Sequence, residues 1–480
     1  MSTGNTETET QRHLHLFAEL ADSIDRIPFG HRHIKVIVLV AAGMIFDIFE
    51  SNALGEAGPS IIATFGISKT QLALVSSATY IGLALGAYLA GIISDFRGRK
   101  FSLILNLVVY SVGGAFCALS PSYETLVAAR FIVGLGLGGE LAVGIALVSE
   151  MVPSPKRASA VAALNVVSGG LGNMLAPLYA ILVLVVLGNF FGGSSVSWRW
   201  LFGLLLIPVL LVLVMRRGMP ESPRYLLRKG KIEEANSVLS YLSDGSVPDS
   251  ELYLDVPTDA EARTDAVTEK VHLTEVFRKP LLRRTVTAAG AYFLVVAAQM
   301  SLLTLMPSFL VARGSTLGKS LVYTMLMQTG SLLGALAAVY TARFPRRAVL
   351  VVAAVLGCVV GVLWGTTTSS DVAVVVFGAL FQFFTLLVTT TLWSWAPELY
   401  PTRVRGFGVS FIKGTGGVGI VVIPPLIAVI FASGGLPAVF VTLAIMFALI
   451  AVAALLGVET KGKVLEDLNE KQELAGSVTL

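Results

Sequence analysis

The stretch AAGMIFDIFESNALGEAG, residues 41–58, sets three carboxylates, Asp47, Glu50 and Glu56, into an otherwise apolar run. A carboxylate kept from water holds its proton, pairs with a base or faces a water-filled cavity. A group that binds a proton in one environment and gives it up in another couples proton movement to a change of shape. Asp47, ~20 Å into the run at ~1.5 Å per residue, is the first candidate for that chemistry. Arg130, in a later apolar run, is its expected partner; the alternative is a static ion pair that only fixes helix packing. Glu50 lies one turn on, on a similar face, as a second proton site, a substrate contact or a vestibule group. Glu56 is expected close enough to the outer surface to reach water.

Further polar side chains stand in apolar runs. Glu140 follows a glycine run and adds to an acid-rich first half, suited to a proton relay or a cationic substrate. Lys413 is the best anchor for a substrate carboxylate, with snorkelling and packing as its alternative role. Gln299 and Asn165 need hydrogen-bond partners in lipid and are candidates to orient a ligand. Tyr80, Phe49, Tyr292, Phe384 and Trp393 are candidates to cover a planar substrate. Of the five histidines, all but His272 fall within the first 33 residues, and Cys117 and Cys358 lie in apolar runs. No metal cluster, cofactor site or nucleophile-and-base set can be assembled from these spacings, so an enzyme is not expected.

The elements that must position these groups follow from composition. Of 480 residues, 55% are hydrophobic and 14% charged, short of the charge that a soluble domain of this size carries. Apolar stretches long enough to cross a bilayer as helices lie near 34–57, 71–94, 101–119, 123–149, 158–189, 199–215, 284–311, 319–342, 347–365, 371–397, 405–432 and 437–458. The expected fold is therefore an all-α polytopic membrane protein of twelve transmembrane helices. Short loops bearing Arg97, Arg99 and Lys100, then Lys156 and Arg157, then Arg343, Arg346 and Arg347, then Arg403 and Arg405 fall on one side. The positive-inside rule makes that side cytoplasmic, together with both termini, in a plasma or bacterial inner membrane. The net charge of +4 is explained by topology, and no basic and aromatic stripe suggests nucleic acid. Lipid, a small solute and protons are the expected partners of a monomer.

Segment 1–33 is expected to be a cytoplasmic N-terminal segment and 216–283 a cytoplasmic linker, with an amphipathic helix over 231–242 lying on the membrane face. Residues 34–215 and 284–458 form two six-helix bundles, and 459–480 a cytoplasmic tail. An offset of 248 brings Gly82 onto Gly330, Gly86 onto Gly334, Arg99 onto Arg347, Glu150 onto Glu398 and Arg157 onto Arg405. Two repeated halves of equal orientation imply alternating access to a site between them.

These motifs resemble the major facilitator superfamily over nearly the whole chain. GLALGAYLAGIISDFRGRK (82–100) resembles its signature loop. RFIVGLGLGGELAVGIALVSEMVPSPKRA (130–158), PESPRYLLRKGKIEEA (220–235), ELYPTRVRGFG (398–408) and ETKGKVLEDL (459–468) resemble its sugar and metabolite porter branch. The resemblance implies an arginine and acid pair like Arg130 with Asp47. Asp95, Arg99, Glu150 and Arg157, with Glu398 and Arg405 in the second copy, would tie the inner face of each half and gate the change of access. The offset sets Arg343 where Asp95 stands, so the first copy is expected to matter more. The span-seven signature of sugar porters is reduced here to Gln299, and the acids Asp47 and Glu50 around Ile48 and Phe49 are closer to aromatic-acid and nicotinate proton symporters. The expected function is proton-coupled symport of an organic or aromatic monocarboxylate. The alternatives are a sugar or polyol porter and a proton-coupled exporter of organic cations or drugs.

Overall fold

Lipid offers no hydrogen bonds to a backbone, so long apolar runs must satisfy their N–H and C=O groups inside helices. The computed structural model, which describes residues 3–207, 210, 218–254, 273–278, 281–367, 370–400 and 402–460, is helical along those runs. No β-strand occurs among the described residues. Helices α1 (Thr3–Arg26), α2 (His31–Glu56) and α3 (Gly58–Phe65) lead into α4 (Lys69–Arg97), α5 (Arg99–Leu119) and α6 (Tyr123–Met151). Then come α7 (Ser154–Val186), in which α and π turns alternate, and α8 (Ser194–Gly203). The polar middle of the chain forms α9 (Pro223–Arg228) and α10 (Ile232–Ser243). The second half continues with α11 (Leu281–Ala312), α12 (Leu317–Thr341), α13 (Arg346–Thr366), α14 (Asp371–Trp395) and α15 (Thr402–Leu456).

Nine helices among the described residues are long and apolar enough to cross a membrane: α4 to α7 and α11 to α15. The chain is thus a multi-pass membrane protein. Helix α2 has 26 residues, enough for ~39 Å of rise, and carries the three acids. Helix α15 is two helical stretches joined at Gly435, whose φ of 63° and ψ of −160° no helix accommodates.

Helix starts are written in the sequence. Ser68 accepts from the Gln71 backbone N–H at 3.1 Å while the Gln71 side chain accepts from the Ser68 N–H at 2.8 Å, a capping box that opens α4. Between helices, glycine sets the spacing. A Cβ on Gly82 or Gly86 of α4 would overlap the carbonyl oxygen of Phe131 or Leu135 on α6. In the second half, a Cβ on Gly330 or Gly334 of α12 would overlap the carbonyl oxygen of Ala379 or Phe383 on α14. Both members of each contact are displaced by the same 248 positions, so the offset read from the sequence is also an offset of packing.

The N-terminal segment is a helix with a working face. Leu20, Ile24 and Ile27, spaced four and three apart, are buried in a cluster with Leu226, Leu239 and Leu242 from α9 and α10. The expected amphipathic linker helix is α10, and Arg32 at the start of α2 pairs with Asp244 at its end, 2.7 Å apart. That hydrogen bond holds the exposed Asp244 carboxyl below its ordinary value. Residues 255–272 of the linker and 461–480 of the tail lie outside the described residues.

Candidate functional site

Arg130 of α6 is 1% exposed and Glu50 of α2 is 2% exposed, and they form an ion pair of 2.9 Å from Nη1 to Oε1. The same nitrogen donates to the Glu50 carbonyl at 3.1 Å, and Nε donates to Thr79 Oγ1 of α4 at 3.2 Å. The guanidinium also lies 5.6 Å from the Phe202 ring centroid. Three helices thus converge on one buried cation. The expected pairing of Arg130 with Asp47 is corrected by this geometry. Arg130 sits toward the Tyr123 end of α6, which runs opposite to α2, and so stands level with Glu50, ~4.5 Å farther along α2 than Asp47. Asp47 lies one turn away, 9% exposed.

Glu56 departs from expectation too. It is 2% exposed rather than open to water, because Gly55 and Gly58 on either side of it are pressed onto α11. Glu140 is fully buried. Two asparagines that sequence reasoning passed over bridge α2 and α7: Asn52 Nδ2 donates to Asn173 Oδ1 at 3.0 Å. Phe49 stacks on Tyr179 with centroids 5.7 Å apart, and Asn165 closes the α-helical part of α7 just before its π turns.

In the second half, Trp393 of α14 donates from Nε1 to the Tyr292 hydroxyl of α11 at 2.9 Å, and Lys413 of α15 places Nζ 4.7 Å from the Trp393 ring centroid. Lys413 is reached by solvent although its ammonium stacks on a ring tied to a third helix, so it faces inward between helices. Gln299 of α11 is buried. Phe384 packs beside Gly357 of α13, apart from the Lys413 group.

The halves touch at one end. Tyr80 donates to Met300 Sδ at 2.8 Å, Ser77 to the Val421 carbonyl at 2.6 Å, and Ser76 and Thr304 hydroxyls lie 3.3 Å apart. Phe431 of α15 stacks on Phe309 of α11 at 4.1 Å and lies under Lys69 of α4 at 5.2 Å. All of these lie toward the end where α2 finishes and α4 begins.

At the opposite end, each half carries a charge cluster. Arg99 bonds Asp95 at 2.7 Å and Glu150 at 3.4 Å. Glu221 accepts from the Arg99 and Lys100 backbone N–H groups at 2.9 and 3.1 Å, and Ser222 donates to Glu150. In the second half Arg346 bonds Glu398 at 3.2 Å, Glu459 accepts from the Arg346 and Arg347 N–H groups at 3.0 Å each, and Thr460 donates to Glu398 at 2.6 Å. Arg346, and not Arg347 as the offset implies, therefore does the work of Arg99. The acid and hydroxyl pairs Glu221 with Ser222 and Glu459 with Thr460 were legible in the PES and ET motifs, which carried no role. The Arg157 Nε is buried without a hydrogen-bond partner among the described residues, and Glu150 is instead taken by Arg99 and Ser222. The Arg405 side chain lies outside the described residues.

Comparison with known proteins places the chain. The family model described as "Sugar (and other) transporter" matches residues 28–471. The niacin transporter NiaP of Acinetobacter baylyi is 29% identical over 456 residues, 94% of this chain and 99% of the relative. A probable 4-methylmuconolactone transporter of Cupriavidus pinatubonensis is 27% identical over 441 residues, 89% of this chain and 91% of the relative. Among solved structures, the inward-open xylose transporter XylE of E. coli superposes with a TM-score of 0.69 at 18% identity, covering 92% of this chain and all of that one.

Proposed function

The chain belongs to the sugar (and other) transporter family of the major facilitator superfamily, and from that membership we propose a proton-coupled symporter of a small organic solute. It works by alternating access between two six-helix bundles, twelve spans in all, with both termini in the cytoplasm of a cell membrane. The observation that carries the coupling is the buried Arg130 and Glu50 pair with Asp47 one turn away. While Glu50 is ionised, its attraction to Arg130 ties α2 to α6. A proton on Glu50 neutralises one partner, weakens that tie and leaves Arg130 dependent on Thr79 and the Glu50 carbonyl. Asp47, deeper in the span, is the second proton site. Binding and release of protons from different sides then follow the change in which end of the carrier is open.

Two substrate readings stand side by side. A sugar or polyol has the broader support, from the family's description and from a shared fold with xylose transporters. A planar monocarboxylate is favoured by the Lys413, Trp393 and Tyr292 group, which offers a cation and aromatic faces together, and by a relative named for niacin. Proton uptake into liposomes on adding pentoses, hexoses, niacin, benzoate or a lipophilic cation separates these. Sugar reading: sugars alone move protons, and Lys413→Gln leaves the rate within about twofold. Carboxylate reading: Lys413→Gln raises KM by at least about tenfold, the ~1.4 kcal/mol or more expected of a charge-assisted contact. Glu50→Gln and Asp47→Asn are each expected to abolish pH-driven accumulation while keeping substrate exchange. Full concentrative uptake by both variants would overturn the coupling.

A further inference from the structure

Glu56 is a buried carboxylate that the Arg130 pair does not use. Neither of its oxygens has a hydrogen-bond partner among the described residues, and the residue is 2% exposed. Its surroundings belong to both halves of the chain. A Cβ on Gly55 would overlap the Leu303 carbonyl of α11, and one on Gly58 would lie 2.7 Å from Ser308 Oγ. Glu56 also follows Asn52 by four residues, on the face that meets α7, where Asn52 bonds Asn173 and Phe49 stacks on Tyr179. The carboxyl is therefore sealed at the junction of α2, α7 and α11.

Among the described residues, the charged groups around that junction offer it no counter-ion. On α2 itself they are Asp47 and Glu50, on α6 Glu124, Arg130 and Glu140, and on α4, whose Leu72 lies beside Gly58, Lys69, which is placed over the Phe431 ring. Arg130 is engaged by Glu50. Tyr179 of α7 gives its hydroxyl to the Leu201 carbonyl, and Arg199 of α8 gives its guanidinium to the Ala118 and Ser120 carbonyls. Helix α3 and residues 297–312 of α11 contain no titratable side chain. The linker helix α10 meets α2 at the far end, where Asp244 pairs with Arg32 and His31. An ionised carboxylate sealed without a cation or donor is costly, so in this conformation the group is stable only with its proton.

We propose that Glu56 is a proton-binding site of the gate formed by α2 and α11: it carries a proton while the two helices are closed on it and gives that proton to water when they part. The step breaks one O–H bond and leaves the electron pair on the carboxylate, with the proton on a water molecule of the outer solution. Closing reverses it. Opening is thus favoured by alkaline external pH and closure by acid, and one proton per opening changes the open-to-closed ratio by up to about tenfold per pH unit while the site titrates. The side named as outer rests on the proposed orientation. The gating itself does not require that solute and proton move together.

Ser308→Cys supplies a reporter on the α11 side of the seal, labelled from outside intact cells by a membrane-impermeant thiol reagent. With Glu56 present, labelling, taken throughout relative to a free thiol at the same pH because the thiolate is what reacts, should speed up as external pH rises from 6 to 9. Glu56→Gln, which keeps the shape of the protonated acid, should label slowly at every pH; Glu56→Asp should keep the pH response. An unchanged pH response in Glu56→Gln overturns the proposal, as does labelling of the Ser308→Cys protein that ignores pH. Should Glu56→Gln not reach the membrane, the Ser308→Cys and Glu56→Asp proteins decide between the same two results. Proton uptake on substrate addition is measured in parallel. Its absence would remove the symport reading and leave the pH response of the gate standing; an unchanged pH response with proton uptake intact would do the reverse.

Discussion

Arg130 shows what a single buried charge demands of its neighbours. Its partners come from α2 and α4, and removing Glu50 or Arg130 alone leaves the other ion stranded. Arg130→Met is expected to cost about 3–5 kcal/mol, the usual penalty for breaking a buried pair from one side. It should lower the thermal unfolding midpoint of the detergent-solubilised carrier, and Arg130→Met combined with Glu50→Gln should recover much of that loss. Equal midpoints for the single and double variants would mean that the pair is not the stabilising unit. The sequence made Arg130, Asp47 and Glu50 visible, because charges in apolar runs are conspicuous. It did not make the pairing visible: span position gives depth to within a turn, while choosing between Asp47 and Glu50 needed the relative height of two antiparallel helices. Glu56 failed for a related reason. Its burial comes from α11, some 250 positions later in the chain.

At the scale of elements, backbone contact between helices replaces the hydrophobic effect as the means of packing, since lipid is as apolar as the side chains. Gly134 of α6 illustrates it, as a Cβ there would overlap the Thr79 carbonyl of α4. Gly134→Ala is expected to force α4 and α6 apart at a cost of about 1–3 kcal/mol, the range for overpacking. Because Thr79 also holds Arg130, transport should fall along with the unfolding midpoint. Gly91→Ala, on the same α4 but with open space around it, is the control and should behave as the native protein does. Similar losses in both would point to helix propensity, or glycine flexibility, in place of close approach. Long apolar helices were the most legible elements: the expected 101–119 and 123–149 became Arg99–Leu119 and Tyr123–Met151. Helix α1 was not recognised, since its apolar positions are few and its partners in α9 and α10 lie 200 residues away. The π turns of α7 leave no period in the sequence that would distinguish them from α-helical ones.

Across the whole molecule, the repeat gives each half the same device at the end opposite the closed gate, with unequal strength. An acid accepts from the first backbone N–H groups of a helix, a site that favours negative charge, and the hydroxyl after it donates to the glutamate that also holds an arginine. In the first half Asp95 adds a second carboxylate to Arg99 and reaches Arg228 of the linker at 3.4 Å. In the second half the corresponding Arg346 nitrogen donates to the Ala342 carbonyl at 2.7 Å, and Arg343 stacks on its neighbour Tyr340 at 3.7 Å. Asp95 is therefore a carboxylate tied to both a helix start and the linker, with no counterpart at the matching position of the second half, where Arg343 stands. It is well exposed, so each of its contacts is worth about 0.2–1 kcal/mol, enough to shift the balance between access states by up to about fivefold. Asp95→Asn should accordingly slow initial transport several-fold at unchanged protein level, whereas Arg343→Ala should stay within about twofold, surface changes of that kind costing ~0.5 kcal/mol or less. Equal slowing in both variants would show that the two clusters act as one symmetric unit, and that the asymmetry in their contacts carries no functional weight.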